Sequence, residues 1–363
     1  MYTAGMGGTV RRNPRVSICV PNLNTRPFLP ERFRSIRAQT FQDWELLVYD
    51  SYSDDGAWEY IEAMAAVERR MICWQGPRAV TPFCWNPSIQ RARGEYVYIA
   101  TSDDTMPADC LEKLVAALDA HPDCGLAHCR LRAIDEHGDD RPDWWSEASV
   151  FARSTGALVD RHHVRHAPLD GLLHLAGDTV YTSITQLLIR RSIFDRVGGF
   201  EPTWGSVSDF NWCMRAALVT NTIHVPDTWG GWRVHSAQST ASAGIGTAEH
   251  AHRIDAMIEH AIDASETLVH PAIWRRLKYR WSAQAAELRA FNHEIVNRAN
   301  AIDRRSFIVR KLLSGSAAAR SHVKSKLLDE SPWLAHFPAL VASWLKEADV
   351  GSPMVAASEQ ETS

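Results

Sequence analysis

Two short apolar runs near the start of the chain, 16–20 and 46–49, are rich in β-branched and aromatic residues. Each gives way to turn formers and then to a helical pattern. After the first, Pro21-Asn22-Leu23-Asn24 breaks the chain, and Phe33, Ile36 and Arg37 begin a helix ending near Thr40. The second ends at Asp50, and a polar turn through Asp54, Asp55 and Gly56 leads to a helix carrying Trp58, Ile61, Met64 and Ala65. Residues 71–74 form a third, short strand candidate. A buried-looking strand from Gly94 to Ala100 then empties into Thr101-Ser102-Asp103-Asp104. The following helix puts Leu111, Leu114, Val115 and Leu118 on one face until His121-Pro122 stops it, and a strand over 125–131 comes next. Strands alternating with helices of this length predict an α/β fold, a mostly parallel sheet with helices on both faces. The chain has no internal repeat.

From about 135 to 177 the pattern loosens into acidic turns, Trp144-Trp145 and the stretch Arg161-His162-His163-Val164-Arg165-His166. A long, weakly periodic insertion suits substrate binding or a lid, and its tryptophans are read as exposed. The histidines lack a Cys or second His pair at metal-ligating spacing, so a solvated surface segment is expected. Beyond Gly246 helices take over, with apolar stripes at Ile254, Met257, Ile258, Ala261, Ile262 and at Trp274, Leu277, Trp281, Leu288. Basic residues flank the second stripe and a later one near Ile308 and Leu312. Such helices pack on their own domain or a second subunit more often than on an anionic membrane. The expected organisation is a disordered leader (1–14), an α/β domain (15–240), a helical C-terminal region (247–350) and a disordered tail (351–363).

A net charge of −4 over 363 residues supplies no overall basic field, which disfavours nucleic acid as a partner. The seven cysteines form no CxxC pair, and several sit where a small hydrophobe serves, as suits a reducing cytoplasm. Arg11 and Arg12 precede no apolar stretch fit for a signal peptide, and no segment approaches the roughly 20 apolar residues that span a bilayer. The expected location is cytoplasmic, at most peripheral on the inner face of a membrane.

The candidate chemistry starts at Asp103 and Asp104. In open α/β sheets ligands gather at the C-terminal ends of strands, and Mg²⁺ or Mn²⁺ is commonly held there by one or two carboxylates plus substrate phosphate. The competing reading is that both simply open the next helix, where Asp satisfies free N–H groups and faces the dipole.

With that pattern in hand, the N-terminal two-thirds resembles the inverting glycosyltransferases of family 2, which have the GT-A fold. The likeness begins at 16–24, which looks like the family's opening strand and Pro-x-x-Asn turn (Pro21, Asn24). It continues through 35–46, Asp50 to Gly56, Asn86, 92–96 and Thr101 to Asp104, and later through Gln186 to Phe200. The resemblance covers roughly 15–240 and stops before the helical tail. It implies that Asp50 sits where the nucleotide's base and ribose are met. It also implies that Asp103 holds a divalent metal and the sugar nucleotide's diphosphate, that Asp209 is the catalytic base, and that His235 completes the metal site.

Two positions depart from the family pattern. Thr101 replaces the first carboxylate of the Asp-x-Asp element, which removes one charge unless Asp104 swings in. Ser51 replaces the second carboxylate after strand two, leaving the donor base open. The expected cofactor is therefore Mn²⁺ or Mg²⁺, and the expected partners are a nucleotide-diphosphate sugar and a carbohydrate or other hydroxyl acceptor, with a homo-oligomer through the helical region as a further option. A GT-A-like protein that binds nucleotide sugar or glycan without transfer is the alternative. A nucleotidyltransferase ranks last, because no Gly-rich basic loop follows the first strand. For Asp209 alone a helix-opening role competes with catalysis. Arg78, Arg93 and Arg215 are open between phosphate contact and local pairing.

Overall fold

The computed structural model describes residues 13–77, 82–143, 145–175, 179–236, 238, 248–281, 290–291, 294, 298, 301–315, 346 and 354–356. Its strands are β1 (Val16–Asn22), β2 (Trp44–Asp50), β3 (Met71–Gln75), β4 (Tyr96–Ile99), β5 (Cys124–Ile134), β6 (His163–Arg165), β7 (Leu187–Arg190), β8 (Asn221–Arg233) and β9 (Met354–Ala356). They form one sheet in the order β3-β2-β1-β4-β7-β5-β8-β6-β9. Strands β3, β2, β1 and β4 are parallel neighbours, as are β5 and β8. Only β7 and β6 run against the rest.

The helices are α1 (Leu29–Arg37), α2 (Ala57–Val67), α3 (Pro82–Arg91), α4 (Cys110–Ala120), α5 (Trp145–Ala148) and α6 (Val150–Thr155), followed by α7 (Leu169–Leu175), α8 (Ser192–Val197), α9 (Ser208–Val219), α10 (Ala248–Ala264) and α11 (Pro271–Arg276). Alternation along the strands makes two cores. Tyr96 and Tyr98 of β4 join Val16, Ile18 and Val20 on one face, while Val97 and Ile99 join Cys19 on the other. Helices α1, α2 and α4 cover the first face through Phe33, Ile61 and Leu114; α3, α7 and α9 cover the second through Ile89, Leu172 and Met214. Helix α1 starts at Leu29, ahead of the expected Phe33, because Pro30 suits a first helical turn, where its missing N–H costs nothing.

The first C-terminal stripe closes on its own domain. Ile254, Met257, Ile258, Ala261 and Ile262 are buried in the second core, and Asn211 of α9 donates Nδ2 to the Met257 carbonyl at 3.2 Å. Trp274 donates Nε1 to the Ile262 carbonyl at 3.0 Å and Leu277 is buried, whereas Leu288 lies outside the described residues. In the helix Ala301–Leu313, Phe307 turns inward onto Phe291, and Ile302, Val309 and Leu313 are exposed.

Two expectations for the insertion are corrected. His163, Val164 and Arg165 are buried, not solvated, because β6 pairs with β8 and Asp170 of α7 neutralises Arg165; Arg161 and His162 stay exposed, His162 against Asp227. Trp145 is buried and stacks on Phe151 at 5.5 Å, while Trp144 lies outside the described residues. Within the tail, Met354–Ala356 adds a strand to the free edge of β6. No helix among the described residues is long and apolar enough to cross a membrane.

Candidate active site

Because β1, β2 and β4 are parallel, the loops after all three emerge at one edge of the sheet. The first two are laced together. Asn24, at a left-handed φ of 53° that Asn tolerates, donates its backbone N–H to Ser53 Oγ at 2.9 Å. Its side-chain amide exchanges hydrogen bonds with Asp54, donating to Oδ1 and accepting from the backbone N–H. Pro21 is buried at the end of β1, where Asn22 donates Nδ2 to Asp50. Asp50 is fully buried, and its carboxylate accepts from Asn22 (2.6 Å), the Ser53 N–H (3.0 Å) and hydroxyl (2.6 Å), and Gln75 (2.9 Å). This carboxylate fastens the loops; Ser53 and Gln75, its partners, lie nearer the open edge as half-buried residues.

The loop after β4 meets the end of β8, although β7 and β5 stand between these strands in the sheet. A two-bond bridge does this: Thr105 N–H donates to the Gly231 carbonyl and Gly231 N–H to the Thr105 carbonyl, both at 2.9 Å. A Cβ on Gly231 would stand 2.2 Å from Thr105 Oγ1, so only glycine permits the approach. Gly231→Ala is therefore expected to destabilise the fold by about 1–3 kcal/mol through overpacking. Calorimetry checks this, and an unchanged unfolding midpoint would show that Thr105 gives way at no cost.

Beyond the bridge, His235 Nε2 lies 3.0 Å from Asp103 Oδ2, with the two side chains 7% and 22% exposed. The His235 ring packs on Phe28 with centroids 4.7 Å apart. Asp104 turns inward instead. Its Oδ1 accepts the Arg233 N–H at 2.9 Å and its Oδ2 the Thr101 hydroxyl. Burial first, then the charge of Asp103, pushes its carboxyl up to about 7, against the hydrogen bonds from Thr101 and Arg233 and the positive charge of buried Arg32. Thr101, which replaces an acidic residue, thus serves as a donor to the next carboxylate.

The donor pair fits an octahedral cation. Ligands about 2.1 Å from such an ion and adjacent to one another lie about 3 Å apart, the spacing of Asp103 Oδ2 and His235 Nε2. One carboxylate and one imidazole leave several positions for water and diphosphate. Among the described residues no group of three or more His, Cys, Asp or Glu side chains is arranged to hold a metal.

Asp209 occupies the first turn of α9, half-buried, and its Oδ1 accepts the Phe210 N–H at 2.8 Å. Burial pushes it up to about 6 despite that bond. Among the described residues no hydrogen bond or ion pair links it to Asp103 or His235. The connection between α8 and α9 is tied to α3 through a reciprocal pair: Asn86 Nδ2 donates to the Phe200 carbonyl at 2.8 Å, and Phe200 N–H donates to Asn86 Oδ1 at 2.9 Å. Arg215 is spent on the same segment, bonding the Val197 and Gly199 carbonyls, and Arg93 pairs with buried Glu45 at 2.6 Å. Both arginines therefore make local pairs; Arg78 lies outside the described residues.

Sequence reasoning missed Arg233 and Glu31. Arg233 had a signal, alternation with His235 along one strand end, which points both side chains the same way. Glu31 had none.

The description "Glycosyl transferase family 2" matches residues 17–198, half of the 363. The chain belongs to glycosyl transferase family 2. Family resemblance reaches an O-antigen biosynthesis protein, RfbC, of Myxococcus xanthus, 25% identical over 281 residues, 74% of this chain and 20% of that protein. It also reaches the glycosyltransferase GlyG of Streptococcus pneumoniae, 31% identical over 100 residues, 27% of this chain and 33% of that protein. The chain spans 16–65% of the length of four curated relatives it matches. Two solved structures share the family's GT-A architecture. S. aureus TarS 1-349 in complex with UDP-GlcNAc superposes with TM-score 0.56 at 14% identity, covering 93% of this chain and 92% of that one. The mannosyltransferase PcManGT from Pyrobaculum calidifontis, in complex with GDP-Man and Mn²⁺, gives 0.51 at 19%, covering 93% and 88%.

Proposed function

We propose that this family 2 member is an inverting glycosyltransferase that moves a sugar from a nucleotide-diphosphate donor to an acceptor hydroxyl, with Mn²⁺ or Mg²⁺ at the diphosphate. The observation that carries the reading is the 3.0 Å pairing of Asp103 Oδ2 with His235 Nε2 at the C-terminal edge of a parallel sheet. The two solved neighbours whose complexes hold UDP-GlcNAc and GDP-Man support the donor class.

The acceptor oxygen attacks the anomeric carbon, the bond from that carbon to the phosphate oxygen breaks, and the nucleoside diphosphate leaves with the electron pair. Asp209 takes the acceptor's proton. A carboxyl raised to about 6 is ionised at neutral pH yet more basic than an ordinary Asp, which suits a general base. One base opposite the leaving group gives inversion, and no carboxylate nucleophile is needed. Asp103 and His235 would hold the cation at the diphosphate end, and when bound it would supply the positive charge that the departing diphosphate needs. Asp50 orients the Asn22, Ser53 and Gln75 side chains at the nucleoside end.

Thr101 and Ser51 favour one competing reading, a scaffold that binds nucleotide sugar without transferring it. A thermal-shift screen of UDP, GDP, dTDP and CDP sugars, with and without Mn²⁺, tests the proposal. One base class at about 100 times its Kd is expected to raise the midpoint by about 5 °C with Mn²⁺, and by less without it. Shifts indifferent to Mn²⁺ would remove the cation from the proposal, and affinity without turnover across acceptors would leave the scaffold.

A further inference from the structure

Arg233 is almost completely buried, and its guanidinium makes four hydrogen bonds at the junction of four segments. Nε donates to the Asp103 carbonyl at 2.7 Å, and Nη1 to the carbonyls of Asp135 (2.9 Å) and Glu136 (3.2 Å). Nη2 pairs with Glu31 in the first turn of α1. Its backbone N–H holds Asp104, and its guanidinium carbon lies 5.2 Å from the centroid of the Phe28 ring against which His235 also packs.

We propose that Arg233 is a positioning residue for the cation and diphosphate, with Glu31 as its anchor, an inference that rests on the reading above. The Thr105–Gly231 bridge aligns the loop after β4 with β8, and the Asp104 N–H reaches the Thr101 carbonyl at 3.4 Å. The Arg233 Nε–H holds the other side of that peptide, the Asp103 carbonyl, at 2.7 Å, so the Asp103 carboxylate stays opposite His235. A buried guanidinium does not touch the diphosphate; it acts through Asp103 and through Phe28. Lysine cannot replace it, because one ammonium with three donors does not span the Asp103, Asp135 and Glu136 carbonyls and Glu31 in one plane.

The test compares Arg233→Lys and Glu31→Gln with the unmodified full chain. Free Mn²⁺ is read by electron paramagnetic resonance during titration in the presence of UDP, GDP, dTDP or CDP. Loss of an outer partner of a metal ligand typically costs about 10–100-fold in metal affinity, and Arg233→Lys is expected in that range. Glu31→Gln, which keeps the shape and one acceptor oxygen, is expected to weaken Mn²⁺ in the same direction by less. It carries the test if the lysine variant does not fold. Nucleotide affinity without Mn²⁺ is expected to stay as in the wild type in both variants. Mn²⁺ affinity matching the wild type overturns the proposal, as does equal weakening of nucleotide binding with and without Mn²⁺, which marks general loosening. A wild-type chain that takes up no Mn²⁺ with any of these nucleotides is a different failure. It overturns the functional reading and this inference with it.

Discussion

Asp209→Asn is expected to lower turnover by about 10²–10⁴-fold, the usual contribution of a positioned general base, while donor affinity with Mn²⁺ is unchanged. Asparagine keeps the shape and the oxygen that accepts the Phe210 N–H, so α9 retains its first-turn contact. What it loses is the ability to take a proton. The pH profile supplies a second reading. A base that must be ionised, raised by burial to about 6, makes kcat/KM fall tenfold per unit as pH drops below about 6 and level off above it. In the asparagine variant the residual rate loses that limb. If Asp209 merely opens the helix, the variant keeps its rate and its pH limb, and only Asp209→Ala loses stability, by about 1 kcal/mol. Steady-state kinetics from pH 5 to 8 on both variants separates the roles.

Asp50 and Asp103 show what the sequence carried and what it did not. Both are aspartates just past an apolar strand, and their pattern is the same. Asp50 is sealed under four hydrogen bonds from three neighbours, whereas Asp103 is partly open and faces His235. The neighbours that decide this, Gln75 at the end of β3 and His235 just past β8, come from distant parts of the sequence, so local pattern does not reveal them. The same limit applies to the sheet. Strands β1 to β4 were legible because short apolar runs bounded by turn residues mark them, and the family likeness implied the GT-A fold. Periodicity does not encode direction, so the reversal at β7 was not. Strand β8 was hidden for a different reason: it buries Thr222 and His224 among its apolar residues, so its composition does not read as a strand. The site's frame depends on that strand, through Gly231 and Arg233.

The buried polar cluster beside β8 carries the largest stability effect. Arg165 and Asp170 are at most 4% exposed and pair at 2.5 Å; Arg165 also bonds Thr155 and Ser154, and Asp170 accepts the Tyr181 hydroxyl at 2.9 Å. Around them stand His128, His163, His174 and His224. Burial, then the Arg165 charge, lowers His163 to about 4 and His174 to about 3, and His128 and His224 also lie well below 6.5, so all four are neutral at pH 7.5. Asp170 is thus the carboxylate that matches Arg165, and no neutral imidazole can take its place. Asp170→Ala leaves a buried cation uncompensated and is expected to cost about 3–5 kcal/mol in urea unfolding. Replacing both partners, Arg165→Met with Asp170→Leu, removes the charge along with its match and is expected to recover most of that loss. Equal destabilisation by the single and double replacements would mean that packing around Tyr181 and Phe151, not charge, holds this region together.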